Sequence, residues 1–490
     1  MLRVFIIGFF VFIFVYLWHK IFNWINNRTS YNLNQVLRRF ITNLIIGLSI
    51  AVFLINFNHY PWLMDIEDAS MDFAMQVRQD TIPPAHKKQI PPLVFLDIDN
   101  KTYRLWGEPL FTPRNKIKAL IELAVKSEAR LVVVDVDLSQ QTPFFESKLH
   151  PYDRELYDYI ANYKKTCQDC PPIILARAFR PLPESAITES EPIREVRTGF
   201  LEKAVAQSAP NVQWASPLFI RSSYDNVIRR WWLWQAVCAD KQPQVLPSIE
   251  LLAAAMIRHK TPEQAQESLN NALADFKPKN CTDTYLPQSK PSKPIIIAKD
   301  LVISEGMRGI RQRIMYNMPW LPPQKETSTV RYYLEDYDKE TENREIILTV
   351  FSAKTSVSAA ALKDNIVVIG GSYSDGRDMH STPLGSMPGA LIIINAIHSL
   401  LQHGEIKPSP IWLKLLLTAI AIILVSILFM YLSSFWSVIF TGTTIIVLLI
   451  PLSIWQLGHG VWIDFALPLL GVQLHQIATD FHNMAEKLEK

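Results

Sequence analysis

Apolar residues gather at the two ends of the chain, while the middle alternates short apolar runs with amphipathic stretches. Residues 411–432 (IWLKLLLTAIAIILVSILFMYL) carry one charge, Lys414, and residues 435–456 (FWSVIFTGTTIIVLLIPLSIWQ) carry none. Each exceeds the roughly 20 apolar residues that cross a bilayer. A third run, 461–478, is weaker, with Asp464 near its start and His475 near its end. Trp412, Trp436, Trp455 and Trp462 fall at segment ends, where interfacial aromatics belong. Near the N-terminus, 40–57 is long enough to span and 4–18 is short. No small-residue cleavage site follows the short run, so it reads as a retained span rather than a signal peptide.

Orientation follows from the basic residues of short loops. Lys20, Arg28, Arg38 and Arg39 lie in loop 19–39, against Arg3 alone before the first run, so that loop is expected in the cytoplasm. The expected organisation is two N-terminal spans within 1–57, an extracytoplasmic domain 58–407, three spans within 408–478 and a short cytoplasmic helical tail 479–490. The large domain is thereby expected outside the cytoplasm.

Within 58–407, Leu63, Ile66, Ser70, Phe73 and Val77 follow 3,4-spacing, which predicts a helix extending the preceding span and stopping before Pro83-Pro84. Strands are predicted at 93–97, 131–135, 173–176 and 366–370. Helices are predicted at 117–127, 155–164, 249–258 and 390–401. Strands apolar on both faces, separated by helices, indicate an α/β domain with a mainly parallel sheet covered on both sides. The Pro- and Lys-rich stretch 278–330 reads as irregular insertions.

Composition narrows the function. Lys+Arg is 49 and Asp+Glu 46, a balance that argues against a nucleic-acid partner. Apolar residues at 49% exclude disorder as the main state. All four cysteines, Cys167, Cys170, Cys238 and Cys281, fall in the exported region, where disulfides persist. Three pairings exist; the expected one is Cys167–Cys170 with Cys238–Cys281. The rival, a metal site at Cys167-Gln-Asp-Cys170, lacks a second Cys pair, so no metal and no cofactor are expected.

Candidate chemistry sits at the strand ends. Asp97 and Asp99 are two apart at the end of one predicted strand, and Asp135 and Asp137 repeat the arrangement on the next. In extended chain each pair shares a face, and open parallel sheets bind ligands beyond the carboxyl ends of their strands. Four carboxylates meeting there suit a cation or an amine. The plainer alternative is that they cap helices or solvate loops. Arg114 is placed to neutralise one of them. Gly370-Gly371-Ser372 lacks the spacing of a phosphate loop and reads as a tight turn. Ser372, Asp378 and His380 include no G-x-S-x-G elbow, so an enzyme is not expected.

These residues, in this order, resemble the CHASE domain of type 2, an extracytoplasmic sensor of bacterial signalling proteins. The resemblance is carried by Val94-Phe-Leu-Asp-Ile-Asp99, Pro113-Arg114, LVVVDVD at 131–137, Asp225-Asn-Val-Ile-Arg229-Arg230, Leu246-Pro247-Ser248 and IVVIGG at 366–371. It continues through Asp378, Thr382-Pro-Leu-Gly385, Met387-Pro-Gly389 and Asn395-Ala396, and covers about 58–478. It adds Asp378 and Thr382 to the candidate ligand-binding set of Asp97, Asp99, Arg114, Asp135 and Asp137. Two departures stand out: Glu108-Pro-Leu-Phe-Thr112 replaces a Trp-rich segment, and Tyr316-Asn-Met-Pro319 replaces Tyr-x-Gly-Pro. Family members usually continue into a cytoplasmic kinase or cyclase, and no such domain is expected here. Instead Leu474, Ile477, Phe481, Met484 and Leu488 form a 3,4,3,4 seam.

The resemblance therefore implies a membrane-anchored sensor of an unknown small ligand outside. Its signal would pass through the membrane helices to a second copy of the chain or to a separate cytoplasmic partner. The alternatives are a structural subunit of an envelope complex and a metal-dependent periplasmic hydrolase using the four aspartates.

Overall fold

The computed structural model describes residues 35–57, 60–81, 90–143, 148–166, 169–180, 193–281, 294–303, 310–321, 329–334, 345–353 and 357–489. The short first run at 4–18, most of loop 19–39 and Cys167 lie outside the described residues. The chain divides into two compact units, Met1–Arg78 with Pro408–Lys490, and Gln79–Lys407.

The first unit opens with α1 (Gln35–Phe57) and α2 (Pro61–Thr81). The predicted helix after residue 57 is present and stops before Pro83, but it starts anew at Pro61 rather than extending α1. Proline suits a first helical turn, where its missing N–H is not needed. The compact unit boundary falls at Gln79, not residue 58, because Trp62, Leu63 and Ile66 of α2 share an apolar cluster with Leu54 and Leu474.

The second unit is built on a seven-stranded sheet. Its strands are β1 (Leu93–Ile98), β2 (Leu131–Val134), β3 (Ile173–Ala176), β4 (Val212–Ala215), β5 (Thr329–Leu334), β6 (Glu345–Ser352) and β7 (Ile366–Gly371). The order is β5-β6-β1-β7-β2-β3-β4. All neighbours are parallel except the β5–β6 pair at one edge. The helices are α3 (Asn100–Leu105), α4 (Arg114–Lys126), α5 (Pro151–Thr166), α6 (Glu202–Ser208), α7 (Ile249–Arg258), α8 (Pro262–Leu273) and α9 (Gly389–His403).

Val94, Leu96, Val132, Val134, Val367 and Ile369 form one core with Ile117, Leu120, Leu156 and Ile160 of α4 and α5. The alternate residues, among them Phe95, Val133 and Val368, are equally buried on the opposite face, where α7 and α9 pack. That two-sided burial is why each strand is a continuous apolar run. Stretch 278–330 differs from expectation. It contributes the antiparallel strands Ile295–Ala298 and Leu301–Ile303 and the start of β5, because Ile295, Ile297, Leu301 and Ile303 bury one face of that hairpin.

Gly370 fixes how closely α9 approaches the sheet. A Cβ on Gly370 would lie 2.5 Å from the Cβ of Ala390. Gly370→Val is therefore expected to destabilise the chain by about 3 kcal/mol, by overpacking. Thermal unfolding measures the loss, and Ala390→Gly in the same chain should recover part of it.

The first unit resumes with α10 (Ile411–Tyr431), α11 (Ser434–Thr444), a five-residue π-helical segment (Ile445–Leu449), α12 (Ile450–Gly458) and α13 (Ala466–Glu489). Among the described residues, three helical stretches are long and apolar enough to cross a membrane: Arg39–Phe57, Trp412–Tyr431 and Phe435–Gly458. The π turn precedes Pro451, whose ring and missing N–H disrupt regular i→i−4 bonding. The third C-terminal run, expected at 461–478, lies largely in α13. That helix is not one of the three, since Gln473, His475, Gln476, Thr479 and Asp480 dilute its apolar content.

Candidate functional site

The carboxyl ends of β1, β7 and β2 bring Asp97 and Asp135 to either side of Gly370. Asp97 is in register with Gly370, and the Asp135 amide donates to the Ile369 carbonyl at 2.7 Å. Strand alternation puts the Asp97 side chain on the α9 face, opposite the α4–α5 core, and the Asp135 Cβ lies on the same side, 3.5 Å from where a Gly370 Cβ would meet Ala390 of α9. Asp97 is 1% exposed. The Ser372 hydroxyl donates to its Oδ2 at 2.7 Å, and its Oδ1 has no hydrogen-bond partner. Burial pushes the Asp97 carboxyl up to about 7, against the opposing Ser372 hydrogen bond and with help from Asp99. Burial also raises Asp135, and the negative charge of Asp378 adds to that shift.

Asp378 completes the group from the loop leading into α9. Its carboxylate occupies the space a Cβ on Gly389 would take, 2.5 Å from that position. His380 Nε2 donates to Asp378 Oδ1 at 2.9 Å, and Arg221 Nη2 lies 2.8 Å from His380 Nδ1. A guanidinium can only donate, so Nδ1 is the acceptor and the proton sits on Nε2. The Ser372 hydroxyl thus points to Asp97 and the His380 ring to Asp378, which is not a nucleophile–base pairing.

Other candidates stand apart. Asp99 caps α3, accepting from the Thr102 amide at 2.7 Å. Asp137 is exposed; it accepts from the Ser139 amide at 2.9 Å and from Arg197 at 3.3 Å. The same-face argument for 97/99 and 135/137 fails because β1 ends at Ile98 and β2 at Val134, so the second acid of each pair is no longer in a strand. Arg114, 2% exposed, donates to the carbonyls of Thr112, Gln140 and Asp137, and so anchors the loop after β2 rather than neutralising an acid by direct contact. Thr382 Oγ1 donates to the Gly385 carbonyl at 2.7 Å and closes a hairpin turn.

Several motif residues are structural. Arg229 forms a two-pronged ion pair with Asp225, at 2.8 and 2.7 Å, which holds the Asp225 carboxyl well below the usual range. Asn395 accepts from the amides of Asn317 and Met318 and donates to the Met318 carbonyl, all at 3.0 Å. Ser248 caps α7. Cys238 and Cys281 are disulfide-bonded, while the expected Cys167–Cys170 pair includes a residue outside the described ones. Sequence reasoning missed Arg221 and Glu250. Glu250 is wholly buried in α7, and burial raises it to about 8 against opposing hydrogen bonds from its own amide and Ser248. The signal was there: one acid in the apolar helix IELLAAAMIR.

Among the described residues no three His, Cys, Asp or Glu side chains are grouped to hold a metal ion. The chain thus joins a mainly parallel α/β unit, with carboxyls at its strand ends, to helices apolar and long enough to cross a membrane. The family model of the CHASE2 domain matches residues 46–432, and the chain belongs to that family of extracytoplasmic sensor domains. Comparisons with curated proteins and with solved structures returned no match.

Proposed function

We propose that this protein is a membrane-anchored sensor. In this reading the 79–407 unit lies outside the cytoplasm of a bacterial inner membrane and takes a small organic cation, an amine, at Asp97, Asp135 and Asp378. Binding favours one arrangement of the sheet and α9, and the membrane helices carry the change to a second copy or a separate signalling partner. The observation that carries the reading is the buried Asp97 carboxyl, whose Oδ1 is left without a donor beside a second desolvated acid. A cation there would offset the cost of ionising both groups.

Binding should then release protons, and affinity should rise between about pH 6 and 8. The full chain in detergent is screened by thermal shift against putrescine and trimethylamine at both pH values, with Mg²⁺ and Ca²⁺ as the metal comparison. A shift larger at pH 8 and absent in Asp97→Asn supports the site. A shift that survives Asp97→Asn and Asp135→Asn would remove the carboxylates from it.

A further inference from the structure

Within the membrane-helix unit, α13 runs antiparallel to α1. At one end Leu467, Leu470 and Leu474 share an apolar cluster with Ile50, Phe53 and Leu54. A Cβ on Gly471 would be 3.5 Å from Leu54 Cδ1. Further along, the contact turns polar. His475, 2% exposed, donates from Nε2 to the backbone carbonyl of Asn43 at 3.0 Å. The Thr479 hydroxyl lies 3.3 Å from Asn43 Oδ1 and 3.4 Å from His475 Nδ1. A carbonyl can only accept, so the imidazole proton sits on Nε2; Asn43 Oδ1 and His475 Nδ1 are both acceptors, and the one Thr479 hydroxyl proton serves either of them in turn.

One further contact seats the ring. Phe429 of α10 meets it edge-on, with centroids 4.7 Å apart. Gly47, one turn from Asn43, makes room for Ile422 of α10, since a Cβ there would lie 2.9 Å from that side chain, and only in ordinary contact, 3.7 Å, with the imidazole. Ionisable side chains inside membrane bundles are costly and tend to mark function. In this register His475, Asn43 and Thr479 lie within hydrogen-bond reach of one another. A slide of one helical turn, about 5.4 Å, would leave them bare in an apolar surrounding.

We propose that His475, with Asn43 and Thr479, is a polar clasp that locks α13 to α1 in a single register, so that the two helices move as one body. The inference rests on the reading that the membrane helices carry the signal. It makes His475 a positioning residue, which ties α1 to α13.

The test uses the full chain in membrane vesicles with the pair Leu54→Cys and Gly471→Cys, oxidised briefly. The parent is expected to cross-link readily. His475→Leu, similar in bulk but without a donor, should lower the yield at least fivefold, and His475→Gln, which restores a donor, should recover most of it. Parent-like cross-linking in His475→Leu, or equal failure of Gln and Leu, would overturn the clasp. Should His475→Leu fail to accumulate, Thr479→Val is read in its place: a reduced yield supports the clasp and a parent-like yield overturns it. The amine thermal shift reports on the sensor reading separately. Its absence would fell that reading without touching the clasp, and an intact shift beside unchanged cross-linking would fell the clasp alone.

Discussion

Asp97→Asn is expected to stabilise the chain most at pH 8, by about a third as much at pH 5, and hardly at all below about pH 4. An aspartate unfolds to a carboxyl with a pKa near 4, whereas folded Asp97 is held at about 7. Between those values the folded state binds the extra proton, so stability falls as pH rises. The contribution is fully present below about pH 4 and lost as pH passes through about 7. The three-unit difference sets a ceiling on the order of 4 kcal/mol at pH 8. Asparagine resembles the protonated acid, still accepts from Ser372 and cannot ionise, so it should flatten the profile. Asp135→Asn should act in the same direction, since burial raises that group too. Asp225, held low by Arg229, gives the opposite trend only below about pH 4. Denaturant unfolding at pH 5, 6.5 and 8 measures the effect. Equal stabilities for parent and Asp97→Asn across that range would show that Asp97 titrates normally.

Breaking the Cys238–Cys281 bond should cost about 4 kcal/mol, from the chain entropy released by opening a loop of 43 residues. The bond joins the β-strand Trp234–Ala239 to the segment after α8. Cys238→Ser and Cys281→Ser should each show the loss, and the double variant no more than either single one, because the same loop is opened. Unfolding with and without reductant provides the control: the variants should lose the part of the reductant sensitivity that this bond supplies. An additive loss in the double variant would mean that the thiols, not the cross-link, stabilise the fold.

Much of the sheet was legible in the sequence, for a local reason. A strand buried on both faces must be apolar at every position, so 93–97, 131–134, 173–176 and 366–370 stand out without knowledge of their neighbours. Edge strand β5 mixes Arg331 with Tyr332 and Tyr333 and lacks that signature. The placement of β7 between β1 and β2 was not legible, because no local pattern specifies the partner of a strand more than 200 residues away. The site shared that fate. Asp97 and Asp135 were found from their strand ends, but Ser372 beside Asp97, and Arg221 behind His380, come together only through that long-range pairing.

Sequence alone determined the class of protein: a parallel α/β unit between apolar helices, with acids where the strands end. Apolar runs and basic loops act through solvation, which is a property of each segment by itself. Tertiary structure decided which acids are desolvated. Asp97 is buried and Asp135 half-buried beside Gly370, where α9 rests on the sheet, whereas Asp99 and Asp137, two residues further on, meet a helix amide and an arginine instead. Proton affinity follows the surroundings of a group, and those are assembled from distant parts of the chain.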